Sequence, residues 1–440
     1  MGDWVLEQVN AIDHEATRLD KEFDVLNTLF SAVMAVGGYG SDKLITLSNR
    51  LRELVELFSQ QDATQENDAQ EKQREREEII WKNDWTLFLN AHYKPERAKA
   101  LKLGTRLLEN ARQMNNREKE MVVLGQYAQC FLKDGHHEDS VKYFKQAIDL
   151  YNEQEDDDQE IIKKYGTHPK AYGLSLIAQP MLHLGTLKEA FGYIDQGAIY
   201  SAEIGNETGI AFSYILQALI MAFCENEKGI ETIIKTFEQK HQDKTESEGY
   251  FLQYLYIFEY YRLRQVDKAE DMVQMIYDSG QLFAISWYVI FLIKIHLDQG
   301  NVARAIELAE RTHLHNLEND IEGSTCFVKK TLAMCYYAQD QKLTPRIDQL
   351  LKESLEYAEK QGAHFFELDT LVYHLELLQS EGGNDVRMRH ELRPKLQVVV
   401  QKLGEVNDLN HHIELKNAWS QYNKALDFIQ QLMPQDQALV

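Results

Sequence analysis

The chain has 440 residues, 44% of them hydrophobic and 10% aromatic, which is ample for a large core, and 70 acidic against 47 basic residues leave a net charge of −23. A uniform charge of that sign repels phosphate backbones and speaks against nucleic acid as a direct partner; it favours solubility, or a basic segment on a partner. Only 6 prolines and 23 glycines punctuate a sequence rich in Leu, Ala, Glu, Lys and Gln, so helix is favoured almost throughout, and no alternating β-branched run reads as a strand.

At the N-terminus, Met1-Gly2-Asp3-Trp4 lacks a basic start and an apolar signal core, and Leu6 breaks the myristoylation pattern. Residues 3–58 read as two or three helices broken at Gly37-Gly38-Tyr39-Gly40. The stretch from Ser59 to Lys72 has almost no apolar side chain and reads as a flexible connection or a solvated helix extension. Residues 1–72 are therefore expected to form a helical cap and linker.

An array of helical hairpins is expected over residues 73–380. Its clearest units are Leu124-x-x-Tyr127-Ala128-x-x-Phe131-x-x-x-Gly135, then Ser140-x-x-x-Phe144-x-x-Ala147, and Leu174-x-x-Ile177-Ala178-x-x-Met181-x-x-x-Gly185, then Ala190-x-x-x-Ile194-x-x-Gly197. A small residue at the crossing of two helices, a polar or glycine turn, and a second helix bringing a small or aliphatic residue to the same seam are the signature of tetratricopeptide-type hairpins. A side chain larger than Ala at such a crossing would push the backbones apart. Aligning the second-helix seam gives Ala98, Ser140, Ala190, Ile230, Ala269 and Ala305, at intervals of 42, 50, 40, 39 and 36 residues, all longer than the plain motif's 34. The longest interval holds the acidic run Glu155 to Glu160, expected at a hairpin junction. Pro180 is expected to kink the helix from Leu174 to Leu184.

A degenerate unit follows, with Leu332, Ala333 and Tyr336 on one helix and Leu351 and Leu355 on the next, then a helix from Phe365 to Gln379 and a break at Ser380-Glu381-Gly382-Gly383-Asn384. The segment from Leu392 to Met433 reads as two helices joined around Asn407 to Asn410. Residues 381–440 are thus expected to cap the apolar end that a solenoid otherwise exposes. The fold expected is all-α, a tetratricopeptide-like helical-hairpin solenoid winding as a right-handed superhelix with helical caps.

One stretch is more specific. Gly166-Thr167-His168-Pro169, with Leu174, Ala178, Leu184-Gly185, Ala190, Ala198, Ala202-Glu203, Gly205 and Ala211-Phe212, resembles the tetratricopeptide region C-terminal to the nucleotide switch of large bacterial signalling ATPases. Those proteins often carry adenylate cyclase or transcription-activator domains. The run Glu359 to Glu367 resembles the later part of that region, and the likeness spans roughly residues 75 to 380. It implies a sensing or docking array of bacterial type, and only that half, since no G-x-x-x-x-G-K-[ST] phosphate loop occurs.

Candidate chemistry is sparse. Cys130, Cys224, Cys326 and Cys335 form no C-x-x-C pair and each falls in an apolar helical pattern, so buried reduced thiols are expected. His136-His137-Glu138-Asp139, His313-x-His315, His364-x-x-Glu367 and His411-His412 lack converging further ligands, so no metal site is expected. No nucleophile elbow, H-E-x-x-H or kinase motif occurs, so no catalytic residue and no cofactor are assigned. The most apolar stretch, Phe283 to Leu297, is too short to span a bilayer and carries Lys294.

The densest unusual feature is the aromatic run from Tyr250 to Tyr261. On a helix, Phe251, Tyr254, Phe258 and Tyr261 form a stripe apart from the hairpin seam. Phe212, Ile215 and Leu219 hold equivalent places one repeat earlier, and Trp287 and Ile290 one repeat later. Two readings stand open: packing against neighbouring repeats or in a homodimer, or a concave aromatic groove that takes an amphipathic helix or extended peptide. The function expected is a cytoplasmic, non-enzymatic adaptor, scaffold or sensor whose partner is a protein or peptide of basic or amphipathic-helical kind. The alternatives are a secreted effector or toxin-like protein whose repeats target an unrecognised activity in a terminal segment, and a structural subunit of a larger assembly.

Overall fold

The structure is a computed structural model that describes residues 15–37, 42–61, 68–93, 96–151, 157–165, 168–240, 249–278, 282–382, 388–411 and 413–432. It is all-α, with no strand among the described residues. The chain divides into two compact units, Met1–Asn116 and Arg117–Val440, so the helices of residues 68–113 group with the N-terminal ones rather than with the array expected from residue 73.

The first unit has four helices, α1 (Glu15–Gly37), α2 (Asp42–Gln61), α3 (Asp68–Tyr93) and α4 (Arg97–Gln113), each packed on the next. The expected break at Gly37 to Gly40 falls between α1 and α2, where Gly38, Tyr39 and Gly40 lie outside the described residues, as does the middle of the polar stretch, residues 62–67. Leu19, Phe23, Leu26, Leu51, Leu54, Val55 and Phe58 form its core. Charge closes over that core: Arg50 clasps Glu22 at 2.6 Å, and the Arg76 guanidinium lies 3.6 Å over the Phe58 ring while bonding Asp20 at 3.0 Å.

The second unit is the array. Inner helices α5 (Arg117–Lys133), α8 (Pro169–Leu176) with α9 (Ala178–Leu184), α11 (Glu207–Phe223), α13 (Gly249–Leu263), α15 (Leu282–Asp298) and α17 (Thr325–Asp340) alternate with outer helices. The outer ones are α6 (His137–Asp149), α10 (Leu187–Glu203), α12 (Glu227–Lys240), α14 (Val266–Asp278), α16 (Val302–Glu318) and α18 (Pro345–Gln361). The short α7 (Asp158–Tyr165) fills the longest interval. A last inner helix, α19 (His364–Ser380), is followed by a π-turn at Met388–Leu392 and by α20 (Arg393–Val406), α21 (Ile413–Ala418) and α22 (Ser420–Gln431). The C-terminal segment therefore has three α-helices where two were expected.

The hairpin turns share one backbone device. One or two residues past the inner helix stands one in the left-handed region, either Gly135, Gly185 and Gly300 or, at φ near 57°, Glu225 and Arg264. Its successor's N–H returns to the helix, as His136 to Phe131 O at 2.9 Å, Thr186 to Met181 O at 3.0 Å and Asn301 to His296 O at 2.8 Å. This is the Schellman closure, which satisfies orphan carbonyls at the helix end. That successor then caps the outer helix, whose fourth residue donates the first intrahelical bond back to it: Ser140, Ala190, Ile230, Ala269 and Ala305, at 3.0–3.1 Å. All five are fully buried, so the seam lies where the sequence placed it. The sixth position differs: Ala98 is exposed. In α4 it is Ala100, again the fourth residue, that is buried and bonds to Glu96 O at 2.9 Å.

Inner and outer helices differ as their surroundings demand. Outer helices bury a single stripe, as Ser140, Phe144 and Ala147 in α6. Inner helices bury nearly every face, as twelve residues of α11 from Gly209 to Phe223, because each packs on its outer partner and on the inner helices before and after it. Pro180 breaks its helix one turn upstream, at Ile177, where its missing N–H and its ring disturb the bond to Leu176 O.

The inner layer of this unit closes on itself, since α9 packs against α19. The Gly323 N–H donates to Lys133 O at 2.8 Å across the closure. From the C-terminal segment, the Asn407 side chain donates to Gly185 O at 2.6 Å and accepts from Lys188 N at 2.9 Å. Gln421 reaches Phe223 O at 3.0 Å, and Trp419 stacks on Phe365 with ring centroids 5.1 Å apart.

Candidate functional site

The aromatic positions expected to line a concave groove are core in this structure. Ile215, Leu219, Tyr254, Phe258, Tyr261, Trp287 and Ile290 are all buried, Phe258 completely and Trp287 to 1% exposure. The cause is the close approach of successive inner helices. Tyr254 and Phe258 meet Tyr288 with centroids at 5.2 and 5.8 Å, and Phe258 and Tyr261 meet Phe291 at 5.4 and 5.1 Å. Trp287 faces the centre, 5.2 Å from His183, 5.9 Å from Phe223 and 5.3 Å from Phe327. Packing against neighbouring repeats, the first of the two readings, accounts for these contacts. The side chain of Phe251 lies outside the described residues.

Phe212 is the exception, and stands half-buried. Its ring meets Tyr172 edge-on at 5.3 Å, and the Tyr172 hydroxyl accepts from Gln129 Nε2 at 2.9 Å. Gln129, Tyr172 and Phe212 come from α5, α8 and α11, so a polar–aromatic strip runs across three successive inner helices. Tyr172 and Gln129 were not singled out by sequence, since a lone Tyr and a lone Gln in helices carry no pattern.

The titratable clusters are tied internally. Asp158 accepts from the Tyr151 hydroxyl and from Tyr200 at 2.8 Å, and His168 Nε2 lies 3.2 Å away. The Lys170 ammonium sits 4.5 Å from both tyrosine ring centres. Burial, then the bonds to Tyr151 and Asp158, raise the Tyr200 pKa. This constellation fastens α7 to the start of α8 and to α10. Along the inner layer, Lys294 meets Glu225 at 3.8 Å, Lys330 meets Asp369 at 2.7 Å and Lys424 meets Glu376 at 3.0 Å.

His364 Nδ1 stands 3.0 Å from Glu367 with Lys402 at its other nitrogen, His313 is partly buried with its pKa lowered by desolvation, and His411 bonds Asp408 at 2.6 Å. Among the described residues no group of three His, Cys, Asp or Glu is placed to hold a metal ion. The four cysteines form no disulfide and are buried. Desolvation raises every thiol, Cys326 and Cys335 up to about 12, far from the thiolate needed for nucleophilic work. No described helix is long and apolar enough to cross a membrane.

One buried pair carries no pattern in the sequence. His137, at the start of α6, is 1% exposed, and its ring stacks on that of His183 at 3.8 Å. His183 drew no notice in the sequence, although the repeat register places it one helical turn beyond Gln179 on the inner face.

No family model matches the chain, and no curated protein matches it. Solved structures similar to it include a Rap protein complexed with competence and sporulation factor, 10% identical, covering 94% of this chain and 98% of that one at a TM-score of 0.37. Another is a circular tandem repeat protein with novel repeat topology and enhanced subunit contact surfaces, 11% identical, covering 98% and 95% at a TM-score of 0.16. The repeat fold rests on the chain's own hairpins.

Proposed function

We propose that the chain is a non-enzymatic adaptor or scaffold that binds a protein or peptide segment on the strip formed by Gln129, Tyr172 and Phe212. The observation that carries this reading is the half-buried aromatic pair joined to an amide on three neighbouring inner helices. Two rings and an adjacent amide suit an extended or helical segment, which supplies an apolar anchor and a backbone group. The net charge of −23 favours a basic segment. Four buried cysteines that form no disulfide fit a reducing, cytoplasmic setting.

The test is affinity capture from cells with mass spectrometry, run beside the double variant Tyr172→Ala, Phe212→Ala. Both side chains keep part of their surface in water, so the variant is expected to retain its helical circular-dichroism signal and to lose a stoichiometric protein partner. Capture at wild-type yield by the folded variant would overturn the reading.

A further inference from the structure

Two neutral imidazoles stand at the centre of the closure, and nothing ionic holds them there. The His137 and His183 rings lie 15° from parallel, and His183 is walled by Trp287 at 5.2 Å, Phe366 at 4.8 Å and Phe327 at 6.1 Å. Neither ring reaches a partner in full hydrogen-bonding geometry; the Gln361 amide lies near His137 and favours its charged form, but less than burial opposes it.

Among the charged groups on the adjoining elements, Glu138 and Asp139 of α6 are exposed, and the following face partners other than these rings. In the α5–α6 turn, Lys133 is coupled to Asp134 and to Asp320, while His136 is exposed and opposes charge on His137. On α10, Lys188 and Glu189 face Asp408 and Lys145. On α15, Lys294 and His296 face Glu225 and Glu270. Lys330 of α17 holds Asp369, Lys360 of α18 holds Glu322 at 3.3 Å, and His364 of α19 holds Glu367. A proton on either imidazole thus has no counter-ion, and the second ring is close enough to repel it.

We propose that the His137–His183 stack is a proton-operated latch, whose protonation parts α6 and α9 from the loop before α17, the end of α18 and the start of α19. Contacts between the parts that would separate include the Gly323–Lys133 backbone bond, the Gln361 side chain seated over Gly135, the ring edges around His183 and the packing of α9 on α19.

The direction follows from linkage. Burial lowers both imidazoles, His137 to about 3, so the closed form stays neutral in mild acid whereas an opened, hydrated form binds protons near pH 6.5. The latch is fully effective above that value and weakens as pH falls below it. Between pH 7 and 5 the open population rises about 25-fold for one ring and about 600-fold for the pair.

Hydrogen exchange with mass spectrometry, corrected for intrinsic rates, tests this on the full chain from pH 7.5 to 4.5. Seam amides, in residues 131–140, 320–327 and 358–367, are expected to gain exchange by several hundred-fold toward pH 5, while α12 and α14 hold their protection. His137→Gln is expected to cut that gain to about 25-fold, and His183→Phe likewise. Opening of α12 and α14 in step with the seam overturns the proposal, because acid then unfolds the unit as a whole. An unchanged pH dependence in either variant also overturns it. Should a variant fail to fold, the wild type decides alone: imidazole NMR shifts that report a charged ring in the closed protein at pH 6 sink the latch.

Discussion

Gly323 illustrates how one absent methyl group can decide a tertiary contact. It sits in the loop before α17, and its N–H reaches Lys133 O at 2.8 Å, so two backbones separated by some 190 residues run side by side. A Cβ at this position would overlap the Leu132 carbonyl oxygen, and backbone on both sides leaves nothing flexible to yield. Gly323→Ala is therefore expected to destabilise the second unit by about 1–3 kcal/mol, the usual range for overpacking, and to lower its urea midpoint. A wild-type midpoint would mean that the loop can retreat. Nothing in the sequence separates this glycine from those that merely end helices, because its neighbour lies far away in the chain.

At the scale of elements, the hairpin was legible and its surroundings were not. Seam residues are set by local geometry: one left-handed residue, one capping residue, and a buried fourth residue in the outer helix. That spacing repeats at Ser140, Ala190, Ile230, Ala269 and Ala305, and only the slip from Ala100 to Ala98 marks where the repeat weakens. The second face of an inner helix has no such local rule. Whether Tyr254 and Phe258 line a groove or fill a core depends on how near the next inner helix comes, which periodicity cannot tell. Tyr288 and Phe291 of α15 come near enough to close it. The double variant Tyr254→Ala, Phe258→Ala is thus expected to fail as a folded protein rather than as a binder. Each truncation of a buried aromatic costs about 3–5 kcal/mol, less than additively since both rings touch Tyr288. The sum still rivals the roughly 5–15 kcal/mol by which a domain is stable. A thermal melt with the wild-type midpoint would return these residues to the surface.

At the scale of the array, the C-terminal segment acts across the closure rather than as a simple end cap. Capping from sequence predicts that the C-terminal helices cover the last hairpin, and α20 and α22 do pack on α19; the segment's reach back to α9, α10 and α11 has no local signal. Asn407 shows how that reach is used. It ends α20, bonding Leu403 O at 2.9 Å, and its amide also donates to Gly185 O at the end of α9. Its oxygen accepts from Lys188 N in the first turn of α10 at 2.9 Å, a helix whose own capping residue, Thr186, makes no side-chain cap. One fully buried amide thus satisfies orphan groups on three helix ends, 219 residues apart in the chain. Asn407→Ala leaves the buried Gly185 O and the part-buried Lys188 N without this partner, which is expected to cost about 1–3 kcal/mol. The loss should appear as a lower thermal midpoint together with faster amide exchange in both α20 and the first turn of α10. Asn407→Asp keeps the acceptor for Lys188 but sets a carboxylate against the Gly185 carbonyl, so it is expected to rescue nothing. If exchange rises in α20 while α10 keeps its protection, the amide caps its own helix only, and the closure is held by the apolar contacts of Leu403, Phe365 and Trp419 instead.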